Sequence, residues 1–241
     1  MSMEYIKENL DAITARIRAA EAKAGRSEGS VTMVAAVKYA EDEEILELYR
    51  LGVRELGENR VQQLLAHYEA LGEARQEVKF HFIGSLQTNK VKYIIDKVAL
   101  IHSLDSLRLA EEIEKQAAKR GLVMDVLVEV NSGEEESKGG ILPSELDAFC
   151  QSLSDYPHLR LCGCMTMAPK CEQKEDYLKY FQQTYQQVLD IWTKKLHNIN
   201  RTETPLLSMG MSESFEEAIA SGSDLVRIGR SLFYRPTEEK K

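Results

Sequence analysis

The sequence contains no uninterrupted apolar stretch approaching the roughly 20 residues that span a bilayer as a helix. It is also poor in cysteine, with four at positions 150, 162, 164 and 171. None forms a CxxC pair, and Cys162-Gly163-Cys164 lacks the two-residue gap of zinc knuckles. Cys162 and Cys164 are expected on one face of a strand, as small buried packing residues. The five histidines are scattered without ligand spacing, so no metal centre is expected. Positive charge is in deficit, with 39 acidic against 31 basic residues and a net charge of -8. A general nucleic-acid binder needs a basic surface to displace counterions, and that class is excluded. One small anion in a locally positive pocket stays compatible. The first 25 residues lack an apolar secretory core: Ile6, Leu10, Ile13 and Ile17 fall at helical spacing among Lys7, Glu8, Asp11 and Arg16. An amphipathic N-terminal helix and a cytoplasmic protein are the expectation.

What is present is regular. Short apolar runs at 31–38, 53–56, 79–83, 99–103, 123–131, 159–165, 205–209 and 225–228 alternate with helical stretches. The latter lie near 42–50, 60–71, 87–96, 105–120, 144–153, 173–197 and 212–221. Eight strands with interleaved helices indicate βα units and a parallel sheet. The runs are nearly continuously apolar, as strands covered on both faces should be. At 241 residues the chain fits a single (β/α)8 TIM barrel preceded by an N-terminal helix over 1–25, an open doubly wound sheet being the competitor. No Pro/Gly/Ser-rich linker divides it, so 1–241 reads as one domain, with 237–241 a frayed tail.

In such barrels functional groups collect where strands end. Lys38 closes the first strand. Beside a dry core its ammonium would be desolvated and its neutral amine freed for an aldehyde; a lysine snorkelling off a strand end is the plainer alternative. Ser208-Met209-Gly210-Met211-Ser212 follows the seventh strand and Arg227-Ile228-Gly229-Arg230-Ser231 ends the eighth. Glycine turns at those two strands suit a phosphate. Arg227 interrupts an apolar strand and demands a partner, either a ligand or a carboxylate such as Glu58 or Glu129. His81 alternates with Phe80 and Phe82 and should point inward, as a structural histidine or a ligand contact. Met165 and Met167 read as packing residues.

Together these segments resemble the pyridoxal phosphate homeostasis protein family, related to the N-terminal barrel of alanine racemase. The similarity runs from about Val31 to Arg235. It rests on Gly57-Glu58-Asn59-Arg60, on the block from His81 through Gly84, Gln87 and Asn89 to Lys90, on 132–138, on 207–212 and on 226–229. The resemblance implies pyridoxal 5'-phosphate as cofactor, held by Lys38 as a Schiff base. Ser208, Gly229 and Arg230 would take the phosphate, Arg227 would face the pyridine nitrogen, and Asn59, His81, Met165 and Met209 would line the cofactor. Lys138 is a second amine that could relay it. The sequence departs from the family pattern at Tyr39-Ala40-Glu41, at Arg230 and at Tyr234, and the last two put the detail of the phosphate cup in question.

A cation against the pyridine nitrogen leaves the ring a poorer electron sink. Racemisation survives that arrangement and is the enzymatic rival. It needs an acid/base on each face of the substrate carbon, and alanine racemases supply one from an extra C-terminal domain that these 241 residues do not offer. The expectation is therefore a monomeric, non-catalytic cofactor carrier serving apoenzymes that depend on pyridoxal phosphate.

Overall fold

A computed structural model describes residues 3–135, 137–194 and 199–235. Eight parallel strands close into a barrel in sequence order: β1 (Thr32–Ala36), β2 (Glu55–Glu58), β3 (Lys79–Phe82), β4 (Val98–Leu104), β5 (Met124–Val130), β6 (Leu159–Thr166), β7 (Arg201–Met211) and β8 (Leu225–Ile228). The first and last strands pair with Val34 opposite Arg227 and Ala35 opposite Ile228, so the open-sheet alternative is eliminated. The expected tail at 237–241 lies outside the described residues.

The helices are α1 (Glu4–Lys23), α2 (Asp42–Arg50), α3 (Val61–Ala70), α4 (Val91–Ile94), α5 (Leu107–Arg120), α6 (Leu146–Ser152), α7 (Asp176–Thr193) and α8 (Phe215–Ala220). Local chemistry sets several of their ends. A capping box joins Glu41 and Glu44 at the start of α2. Ser106 caps α5, and Gly121 ends it in a left-handed conformation that glycine adopts without Cβ strain. Among the described residues no helix follows β8. Instead α1 packs against α8 and α2 and fills that place in the outer ring. No helix of the described residues is long and apolar enough to cross a membrane.

Strand alternation sorts the side chains into two layers. Leu56, Phe80, Phe82, Ile101 and Val126 face the helices in the larger core. Val34, Leu100, Leu127, Cys162, Met165 and Leu225 fill the barrel interior. Cys162 and Cys164 fall in different layers, contrary to the shared face expected of them. The register shifts around Gly163, whose φ is +149° and whose added Cβ would meet the Leu206 carbonyl oxygen at 1.9 Å. That bulge turns the second cysteine outward.

Candidate functional site

The strand ends bring most of the expected residues to one mouth, but not always in the expected way. Lys38 lies two residues beyond β1, keeps the sequence phase of the inward-facing Val34, and is exposed, its Nζ 4.8 Å from the centre of the Tyr39 ring. The dry surroundings expected for it are absent, because the strand ends at Ala36 and the lysine sits in the turn above the core. It is nonetheless close in register to the last strand. A Cβ on Gly229 would meet the Ala36 carbonyl oxygen at 2.8 Å, so only glycine lets the β8 corner close on the end of β1.

Arg227 is 4% exposed and crosses the interior. Its Nη1 donates to the Ser208 carbonyl at 2.8 Å and to Ser208 Oγ at 2.6 Å, and its Nη2 to the Thr166 carbonyl at 3.0 Å. A guanidinium has five N–H donors, so the fork keeps donors with no acceptor among the described residues. Burial pushes its pKa down to about 10, with Glu129 pulling the other way. Neither suggested carboxylate bonds to it. Glu58 faces outward and binds His67, since the period of two sends Leu56 and Glu58 to the helix side. Glu129 acts on Arg227 only through space, and its own carboxyl is raised by burial and by Asp105.

Ser208 is fully buried, and its hydroxyl is shared between Arg227 and His102 Nδ1, the latter at 3.0 Å. It is therefore engaged inside the barrel rather than free at the corner. The hydroxyls that meet between the two late glycine corners are those of Ser212 and Ser231, 3.1 Å apart, with the Ser231 N–H donating to Ser212 Oγ at 3.3 Å. They lie in a cleft of about 390 Å³ that Asn9 and Arg16 of α1 also line. Arg230 is exposed and paired with Glu213 across this rim. A larger groove of about 550 Å³, between the loops after β3 and β4, contains none of the expected residues.

His81 does point inward between the outward Phe80 and Phe82. Its ring bonds, however, go to His102 Nε2 at 2.8 Å and Glu55 Oε2 at 2.6 Å. Met165 lies in the barrel interior. Met209 does not: it is fully buried in the outer layer beside Leu207, because Ser208 takes the inward position. Asn59 is half-buried just past β2, with Gly84 so near that an added Cβ would meet the Asn59 carbonyl oxygen at 2.4 Å. Lys138 is exposed and pairs with Glu135 at 3.7 Å. His102 and Glu55 are the groups that sequence reasoning passed over, while Ser212 and Ser231 lay within the two glycine turns read as a phosphate site without being singled out as its hydroxyls. The alternation of Leu100 and His102 in β4 was a signal for the first. No group of three or more candidate metal ligands occurs among the described residues.

Residues 9–236 match the family model described as alanine racemase, N-terminal domain. The pyridoxal phosphate homeostasis protein of Aquifex aeolicus is 44% identical over 226 residues, covering 94% of this chain and 96% of that relative. PipY of Synechococcus elongatus PCC7942, whose structure has PLP bound, is 28% identical with a TM-score of 0.81, covering 95% of this chain and 100% of that one. An alanine racemase of Clostridium difficile 630 superposes with a TM-score of 0.72 at 18% identity. It covers 98% of this chain but 58% of its own, a likeness of fold.

Proposed function

Because the chain belongs to the pyridoxal phosphate homeostasis protein family, we propose that it binds pyridoxal 5'-phosphate at the barrel mouth and holds it for delivery to apoenzymes, without a turnover reaction of its own. The observation that carries this reading is the buried Arg227 fork, which keeps unused donors beside two hydroxyl-bearing glycine corners. This donor set fits the cofactor. A fixed cation suits a ring nitrogen that stays unprotonated, and close backbone with hydroxyls suits a phosphate.

When bound, pyridoxal phosphate supplies an aldehyde that condenses reversibly with an amine. Lys38 is the amine we assign to it: exposed at the mouth, near the β8 corner, and open to both arrival and release. Gly229 gives the backbone approach, and Ser212 and Ser231 add hydroxyls. Arg230 balances its charge between Glu213 and the incoming anion. Asn59 and Met165 line the space between. Arg227 remains a cation at neutral pH and weakens the ring as an electron sink, which favours holding the cofactor over transforming an amino acid with it. A cytoplasmic monomer is the form in which we expect it to act.

The test is a spectrum of purified protein titrated with pyridoxal phosphate, followed by borohydride reduction and peptide mapping. A visible band and a reduced adduct on Lys38 are expected, both lost in Lys38→Ala. An adduct confined to another lysine would move the site. Incubating the loaded protein with L- or D-alanine should give no sustained racemisation; steady turnover would replace the carrier reading with the racemase one.

A further inference from the structure

Five side chains form one continuous hydrogen-bonded line through the barrel interior. Arg227 of β8 donates to Ser208 Oγ of β7 at 2.6 Å, Ser208 Oγ meets His102 Nδ1 of β4 at 3.0 Å, His102 Nε2 meets His81 Nδ1 of β3 at 2.8 Å, and His81 Nε2 meets Glu55 Oε2 of β2 at 2.6 Å. Four of the five are essentially buried. Glu55 is not: its side chain is 20% exposed and also takes Lys79 Nζ at 3.0 Å. Glu55 and Lys79 are the first residues of their strands, so the line begins at the end of the barrel opposite the mouth.

The two ends fix which way the hydrogens point. A guanidinium only donates, and an ionised carboxylate only accepts. Burial pushes the Glu55 carboxyl up, but hydrogen bonds from His81 and Lys79 outweigh it and hold the carboxyl below its usual range. With both histidines neutral, one pattern satisfies every contact. Ser208 donates to His102 Nδ1, His102 Nε2–H donates to His81 Nδ1, and His81 Nε2–H donates to Glu55. Burial, with His81 and Arg227 adding, holds His102 well below the ordinary imidazole range, whereas His81 is the ring set against the Glu55 carboxylate, and the second pattern of the line places its extra proton there. Both His81 nitrogens then donate. The His102 Nε2 proton passes to His81 Nδ1, the Ser208 hydroxyl proton passes to His102 Nδ1, and the added proton restores the Ser208 hydroxyl, so that Ser208 now accepts from His102 and its own hydrogen turns elsewhere.

We infer that His81 and His102 are positioning residues of a two-state relay, in which a proton entering at Ser208 is passed along the line to rest on His81 beside Glu55, reversing the His102 tautomer and changing which hydrogens Ser208 and Arg227 offer towards the mouth. The charged and titratable groups facing the relay are Glu55 from β2, Lys79 from β3 and Arg227 from β8, with Glu129 of β5 acting on Arg227. The relay deepens the function proposed above and rests on it only for the identity of the ligand at Arg227.

The test separates the two. In the protein without cofactor, ¹⁵N NMR of the imidazole nitrogens across pH should show His102 Nδ1 change from bare to protonated as His81 becomes doubly protonated. No reversal at any pH at which the protein stays folded overturns the relay, whatever the cofactor does. In protein loaded with pyridoxal phosphate, the visible band should shift at the same midpoint. Lys79→Met should raise that midpoint by about one pH unit, a tenfold change in proton affinity, because Glu55 loses its competing cation. Glu55→Gln should lower or abolish it, with Glu55→Asp restoring it. A purely structural role would change stability and leave the midpoint in place, as would a band unconnected to the histidines, and either result overturns the inference. Lys79 is exposed at the strand start, so its variant reports even if Glu55→Gln does not fold.

Discussion

Arg227 carries an unusual combination of burial, charge and incomplete pairing. Three hydrogen bonds tie it to Ser208 and Thr166, yet no carboxylate among the described residues forms an ion pair with it. A desolvated cation without a counter-ion is costly, and selection for stability alone would replace it by an aliphatic side chain. The site it serves gives it a reason to persist. Arg227→Gln removes the charge and leaves at least one carbonyl short of a donor, which should cost about 1–3 kcal/mol of stability. It should also weaken pyridoxal phosphate about tenfold or more, since a tenfold change is only ~1.4 kcal/mol, and alter the pH dependence of the visible band. Equilibrium unfolding and a spectral titration measure the two effects separately. Unchanged affinity and an unchanged band would remove Arg227 from the ring nitrogen.

At the scale of elements, legibility in the sequence followed locality. The helix over 42–50 and the strand over 225–228 coincide with α2 and β8, where capping residues or an apolar run bounded by polar residues define both ends. β7 begins at Arg201, four residues before the apolar run, because Arg201 already pairs with Leu161 of β6 ahead of the register shift; an apolar run cannot report a pairing made by a polar residue. Arg227 was legible as a charge in an apolar strand, and the inward turn of His81 as simple alternation. The His81–His102–Ser208 line was not, since its contacts span 21 and 106 residues of sequence and no spacing rule reaches that far. Cys164 leaves the face of Cys162 for a reason equally invisible in composition, the Gly163 bulge. Gly163→Ala places a Cβ on the Leu206 backbone and a side chain at positive φ. It should therefore cost more than about 3 kcal/mol, read as a fall in the urea midpoint. A midpoint within error of wild type would mean the strand runs regularly there.

For the molecule as a whole, closure is the property that protects these cysteines. A barrel has no edge strand to fray, and Cys162 lies inside it while Cys150 and Cys164 lie in the layer outside. Burial pushes the Cys150 and Cys162 thiols up to about 12 and the Cys164 thiol well above its usual range. The folded state thus holds these protons more tightly than the unfolded chain, whose thiols ionise near 9. The stability this contributes is fully present below about pH 9 and is lost as pH rises towards the folded values. The urea midpoint should accordingly fall between about pH 9 and 11, and less steeply in Cys150→Ala. Because the thiolate is the reactive form, a thiol reagent near pH 8 should modify the half-buried Cys171 in the native protein and reach the other three only at the rate of global unfolding. Native-state labelling of Cys162 faster than that rate would show the strands parting locally, and the interior line from Glu55 to Arg227 would then be open to water.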